Sequence, residues 1–84
     1  MDVDAPPAQK LDPTTERFRR FFRIARERKL VGRRRAEVQI QFCRLVGCSP
    51  QTARAWQFRR PIRQLYRPAV NLALDILEQK FQIP

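Results

Sequence analysis

From Pro13 onward the apolar residues recur at helical spacing. Phe18, Phe21, Phe22 and Ala25 fall at i, i+3, i+4 and i+7, which places them on one face of an α-helix. Arg17, Arg19, Arg20, Arg23, Arg26 and Arg28 take much of the remaining circumference, so this helix is expected to turn its phenylalanines inward and its cations to water. Asp12 is a candidate cap, Pro13 suits the first helical position, and Gly32 is the expected stop. In the next segment "VQIQF" alternates like a strand, but Val38, Phe42, Leu45 and Val46 make a helical stripe that ends at Gly47, and the stripe predicts a helix. Ser49 then caps and Pro50 starts a further helix, "PQTARAWQF". Pro61 cannot extend the helix behind it, so "RRPIRQLY" is expected to be a linker. "RPAVNLALDILEQKF" is the last helix, with Pro68 near its start.

That last helix carries two apolar stripes: Val70, Leu74, Leu77 and Phe81 form one, and Leu72, Ala73 and Ile76 the other. A helix apolar on more than one side needs two neighbours. One is the domain's own core; the other is expected to be a second copy of the chain, with Val70, Leu74, Leu77 and Phe81 as the candidate dimer interface. The pattern therefore predicts an all-α, compact domain of four to five helices over residues 13–84, behind a polar, Pro-containing N-terminal tail over residues 1–12 that is expected to be disordered. A chain of 84 residues buries only roughly 60–65% of its unfolded surface, and dimerisation is a common remedy.

Charge changes the picture most. Eighteen Lys+Arg face eight Asp+Glu, and between Arg17 and Arg67 sixteen basic residues meet only Glu27 and Glu37. Fifteen of the cations are Arg, the side chain whose planar fork grips phosphate and base edges. A polyanion partner follows, nucleic acid before acidic membrane. The chain has no His, and Cys43 and Cys48 are its only cysteines. Two thiols cannot complete a zinc site of four ligands, so no metal or other cofactor is expected, and the pair reads as reduced core residues of a cytoplasmic protein. No apolar run reaches the length of a membrane span, and no signal peptide is evident; the bacterial cytoplasm, at the nucleoid, is the expected location.

The Gly47 turn joins two short helices so closely that they must cross steeply. Such a pair needs a small side chain at the crossing, here Cys43. It needs a residue tolerant of positive φ, here Gly47, and apolar locks beyond the turn, here Cys48, Ala53 and Trp56 against Phe42 and Val46. "QIQFCRLVGCSPQTARAWQF" resembles the helix-turn-helix of small bacterial and phage regulators of the repressor/Cro type, with Gln39, Cys43, Gly47 and Trp56 at matching positions. Cys43 stands where Ala is commoner, and Ala53 where Val or Ile is commoner. "YRPAVNLALDILE" is similar to the segment that follows the motif in phage-borne regulators that include the anti-CRISPR-associated repressors. The resemblance covers roughly residues 33 to 80. It implies a dimeric, double-stranded DNA-binding transcriptional regulator that represses an operon of a phage or mobile element, its own included, through an inverted repeat.

In that arrangement the helix beginning at Pro50 enters the major groove. Gln51, Thr52, Arg54 and Ala55 are its candidate base-reading residues, with Phe58 one turn beyond. Gln51 suits adenine, Arg54 suits guanine or a phosphate, and the Ala55 methyl suits thymine. Gln39 and Ser49 at the helix N-termini, with Arg33, Arg34, Arg35, Arg59, Arg60 and Arg63, are the candidate backbone contacts, which set register without reading sequence. Two other functions remain open: an RNA-binding arginine-rich helix, and a DNA-recognition subunit of a phage packaging or assembly complex. Catalysis is not expected. Without His, a Ser or Cys nucleophile lacks its usual base. Asp12, Glu16, Glu27, Glu37, Asp75 and Glu78 show no metal-ligand spacing, and no Gly-rich phosphate loop exists.

Overall fold

A computed structural model describes residues 11–30 and 37–84. Its helices are α1 (Pro13–Glu27), α2 (Glu37–Val46), α3 (Pro50–Phe58) and α4 (Arg67–Phe81), with a 3-10 turn at Gln64–Tyr66 before α4; the described residues contain no strand. The class is all-α, and "VQIQF" lies within α2. Helices α1 and α2 both pack on α3 and on α4. The expected tail lies outside the described residues as far as residue 10. Asp12 belongs to the folded part, as the cap of α1.

An aromatic cluster fills the core. Phe18, Phe22 and Phe42 are fully buried with ring centroids 4.9–5.5 Å apart, the Phe22 and Phe42 rings meeting edge to face. Tilted and edge-on contacts of this kind add about 0.5–1.5 kcal/mol each beyond area burial. Trp56 meets Phe18 edge-on at 6.1 Å and Tyr66 at 5.4 Å, which ties α3 and the 3-10 turn to the same cluster. Because all three phenylalanines of α1 are buried, that helix has no exposed aromatic platform for unpaired bases.

The start of α1 also fixes a distant loop. The Asp12 carboxylate accepts the Thr15 amide at 2.9 Å and the Thr15 hydroxyl at 2.6 Å, and the same hydroxyl oxygen accepts the Ile62 amide at 2.9 Å. Burial on its own would raise the Asp12 pKa, but the two Thr15 hydrogen bonds and the Arg67 charge hold it below the usual value. A carboxylate with a depressed folded pKa contributes stability that is present above the unfolded value, about 3.9, and is lost as pH falls through the folded value. Asp12→Ala is expected to cost about 1–2 kcal/mol at pH 7. The gap between wild-type and variant urea midpoints should then close as the pH falls below about 4. A gap independent of pH would contradict this account of the cap.

Helix α1 stops earlier than expected, and Gly32 lies outside the described residues. Lys29 takes a left-handed φ of 60°, and the Leu30 amide donates back to the Ala25 carbonyl at 2.8 Å, folding Leu30 onto the core. Helix α4 ends the same way: Gln82 has φ 56°, the Ile83 amide reaches the Glu78 carbonyl at 2.9 Å, and Ile83 is buried. In both, an apolar residue just past the end repays the cost of a non-Gly left-handed residue.

The candidate dimer interface is corrected. Val70, Leu74 and Leu77 are 0% exposed, and Phe81 packs half-buried against the core. One face of α4 must serve both α1 and α2, and the largest stripe is drawn there. Of the second stripe Ala73 is also buried, while Leu72 and Ile76 are 63% and 44% exposed. Leu45, expected inside, is 46% exposed, and Cys43 is buried in α2.

The arginines of α1 are likewise only partly turned to water. Two sit on one flank: Arg19 donates to the carbonyls of Trp56 (2.7 Å) and Arg60 (3.1 Å), and Arg26 to the Gln57 side chain (2.7 Å). On the other flank Arg17 grips both Glu78 oxygens and Asp75, and Arg28 reaches the Gln82 carbonyl. The Glu78 hydrogen bonds above all hold the Arg17 pKa above its ordinary value. Spacings of seven (Arg19, Arg26) and eleven (Arg17, Arg28) return to the same helix face, so α1 is clamped to α3 on one side and to α4 on the other.

Candidate nucleic-acid interface

The turn between α2 and α3 takes three residues. Gly47 has φ 82°, and its amide and that of Cys48 both donate to the Cys43 carbonyl, at 2.7 and 3.1 Å. A Cβ on Gly47 would meet nothing within 4 Å, so the turn requires glycine for its backbone conformation and not for space; Ala there would cost on the order of 1 kcal/mol. The Ser49 hydroxyl oxygen accepts the Thr52 amide at 3.1 Å, with Pro50 at the first helical position. Ala53 and Trp56, 0% and 4% exposed, then hold α3 down.

Cys43 and Cys48 sit where the turn meets the core, and both thiols are free. Burial pushes the Cys43 pKa up, and burial together with the neighbouring Cys43 pushes Cys48 up to about 12. Raised values of this kind disfavour the reactive thiolate, which suits two small packing residues. Among the described residues no group of three or more His, Cys, Asp or Glu is placed to hold a metal ion, and no helix is long and apolar enough to cross a membrane.

With Ala53 and Trp56 inside, the opposite face of α3 is exposed at Gln51, Arg54 and Phe58 and half-exposed at Ala55. Thr52 is placed differently from the expectation. It is half-buried, and its hydroxyl lies 3.0 Å from the Ser49 hydroxyl, so the capping network engages it on the flank of the exposed line. Thr52 and Ala55 form one wall of a cleft of about 470 Å³ whose other wall is Arg60, Arg63 and Tyr66.

Arg59, Arg60 and Arg63 are exposed on a loop whose backbone is held from outside. Arg19 grips the Arg60 carbonyl, Thr15 the Ile62 amide, and Arg67 the Ile62 carbonyl at 3.1 Å. Ile62 itself is fully buried. Sequence reading finds these arginines, but not the side chains that fix their backbone; Thr15 and Arg19 carry no local signal of that duty. No Asp or Glu occurs between Glu37 and Asp75, and among the described residues Arg54, Arg59, Arg60 and Arg63 form no ion pair. Gln39 is half-buried in the first turn of α2. Arg33, Arg34 and Arg35 lie outside the described residues.

Compared with protein-family models, curated proteins and solved structures, the chain shows no match.

Proposed function

We propose that the protein is a sequence-specific duplex-DNA-binding regulator of transcription, a homodimer that acts on an inverted repeat. The observation that carries this reading is the exposed face of α3. Gln51 and Arg54 are exposed on it, and Arg59, Arg60 and Arg63 follow on an anchored loop, without an ion pair among the described residues. Gln and Arg are the side chains that pair bidentately with adenine and guanine in the major groove, and flanking cations on an anchored backbone suit phosphates. An anchored backbone leaves less of the loop to be ordered on binding. Repression of an adjacent operon is the regulatory outcome that the resemblance to repressor/Cro-type proteins implies.

One module reads few base pairs, so specificity calls for two. Leu72 and Ile76, one turn apart on the exposed face of α4, are the surface we assign to the second copy. A twofold axis there would set two α3 helices about 34 Å apart, on successive major grooves.

Selection of bound fragments from random duplex DNA tests the reading. The expected result is an inverted repeat with half-sites about one helical turn apart. Arg54→Ala should relax the preference at one base pair of each half-site by about 1–3 kcal/mol. Arg63→Ala, which removes one phosphate contact from each copy, should instead weaken every duplex and flatten the salt dependence by about two units. With six phosphates neutralised per dimer, log K should fall with log salt at a slope near ~−5. Failure to enrich any duplex would end the proposal.

A further inference from the structure

Helix α3 carries one large apolar side chain that the core does not use. Phe58 is 59% exposed, while Phe18, Phe21, Phe22, Phe42 and Trp56 are all buried. It follows Gln51 by seven residues, Arg54 by four and Ala55 by three, so it stands on the same side of the helix. The ring also has a cationic neighbour. The Arg26 guanidinium lies 5.2 Å from its centroid, and Arg26 donates to the Gln57 side chain at 2.7 Å. A guanidinium over a ring face at that distance is attracted by the ring quadrupole.

An exposed ring under the Arg26 guanidinium and close in sequence to Arg54 and Arg59 matches a partner that is anionic overall and apolar at one point. In the major groove the apolar group is the C5-methyl of thymine. We infer that Phe58 is a specificity-determining residue whose ring packs on the C5-methyl of a thymine in the half-site read by Gln51 and Arg54, with Arg26 as a positioning residue. The inference rests on the duplex-DNA reading and extends it. Phe58 lies about 10 Å along the helix from Gln51, so it meets a different base pair.

The test uses the duplex that the wild-type protein selects. Each thymine is replaced in turn by deoxyuridine, which removes only the methyl. Wild type should lose about fourfold in affinity at one position, and Phe58→Ala should bind the two duplexes equally at that position. Any thymine met by Ala55 would keep its sensitivity in both proteins. Arg26→Ala should shrink the Phe58 effect without abolishing it. Circular dichroism should show Phe58→Ala folded, since the ring is exposed. Equal sensitivity of both proteins at every thymine overturns the inference, as does a changed sedimentation mass for Phe58→Ala, which would assign the ring to a second copy of the chain. If wild type enriches no duplex, the DNA reading falls and this inference with it; an enriched duplex without coupling removes the Phe58 contact alone.

Discussion

Leu74→Arg is expected to remove most of the domain's stability. Leu74 is 0% exposed, on the face of α4 that it shares with the equally buried Val70 and Leu77. Truncating a buried leucine alone costs about 2–5 kcal/mol, and an unpaired guanidinium in its place adds several more. A chain of 84 residues has a total stability of about 4–13 kcal/mol, so losses that together reach about 5–10 kcal/mol remove much of it and exceed it over the lower part of that range. Far-ultraviolet circular dichroism and a thermal melt decide the matter. A Leu74→Arg variant that is helical and melts close to wild type would mean that the side chain is not in the core.

Leu72→Arg combined with Ile76→Arg should behave in the opposite way. Both side chains are substantially exposed, and arginine is a good helix former, so the fold should survive with its melting temperature little changed. The assembly should not. Two cations from each copy would face two from the other across a twofold axis, and like charges brought together in this way oppose association. Sedimentation should report a monomer, and affinity for the selected inverted repeat should fall by about a hundredfold or more, because the second half-site no longer binds at high effective concentration. A dimer of unchanged mass would remove this surface from the proposal while leaving the α3 reading intact. The two variants also separate two roles that apolar residues of α4 can play, since one weakens the fold and the other only the pairing.

The clamps made by α1 explain why so many arginines fit on a small domain without all of them serving a partner. Arg17, Arg19, Arg26 and Arg28 hold α3, α4 and the ends of both. Exposed ion pairs are worth little singly, but Arg17 bonds in forked fashion to Glu78 and also to Asp75 and Asn71, and a forked network holds geometry better than a lone pair. The cations that remain at the candidate interface are those of α3 and the loop behind it.

The amino-acid sequence by itself determined the helices, the caps at Asp12 and Ser49, the glycine turn at Gly47 and the inward residues of α1 and α3. These depend on spacings and capping bonds that span no more than about eight residues, so their signals lie within a short window of chain. The exposed positions of Gln51 and Arg54 were legible for the same reason, once Ala53 and Trp56 fixed the opposite face. Tertiary structure alone decided which stripe of α4 turned inward, because Val70, Leu74 and Leu77 on the one hand and Leu72 and Ile76 on the other are equally apolar, and only the shapes of α1 and α2 choose between them. It also decided that Arg17 would serve Glu78, sixty-one residues away, that Thr15 would hold the loop of Ile62, and that Lys29 and Gln82 could end helices without glycine. Each of these rests on a contact between distant segments or on burial of the residue that follows, and neither exists until the chain has folded.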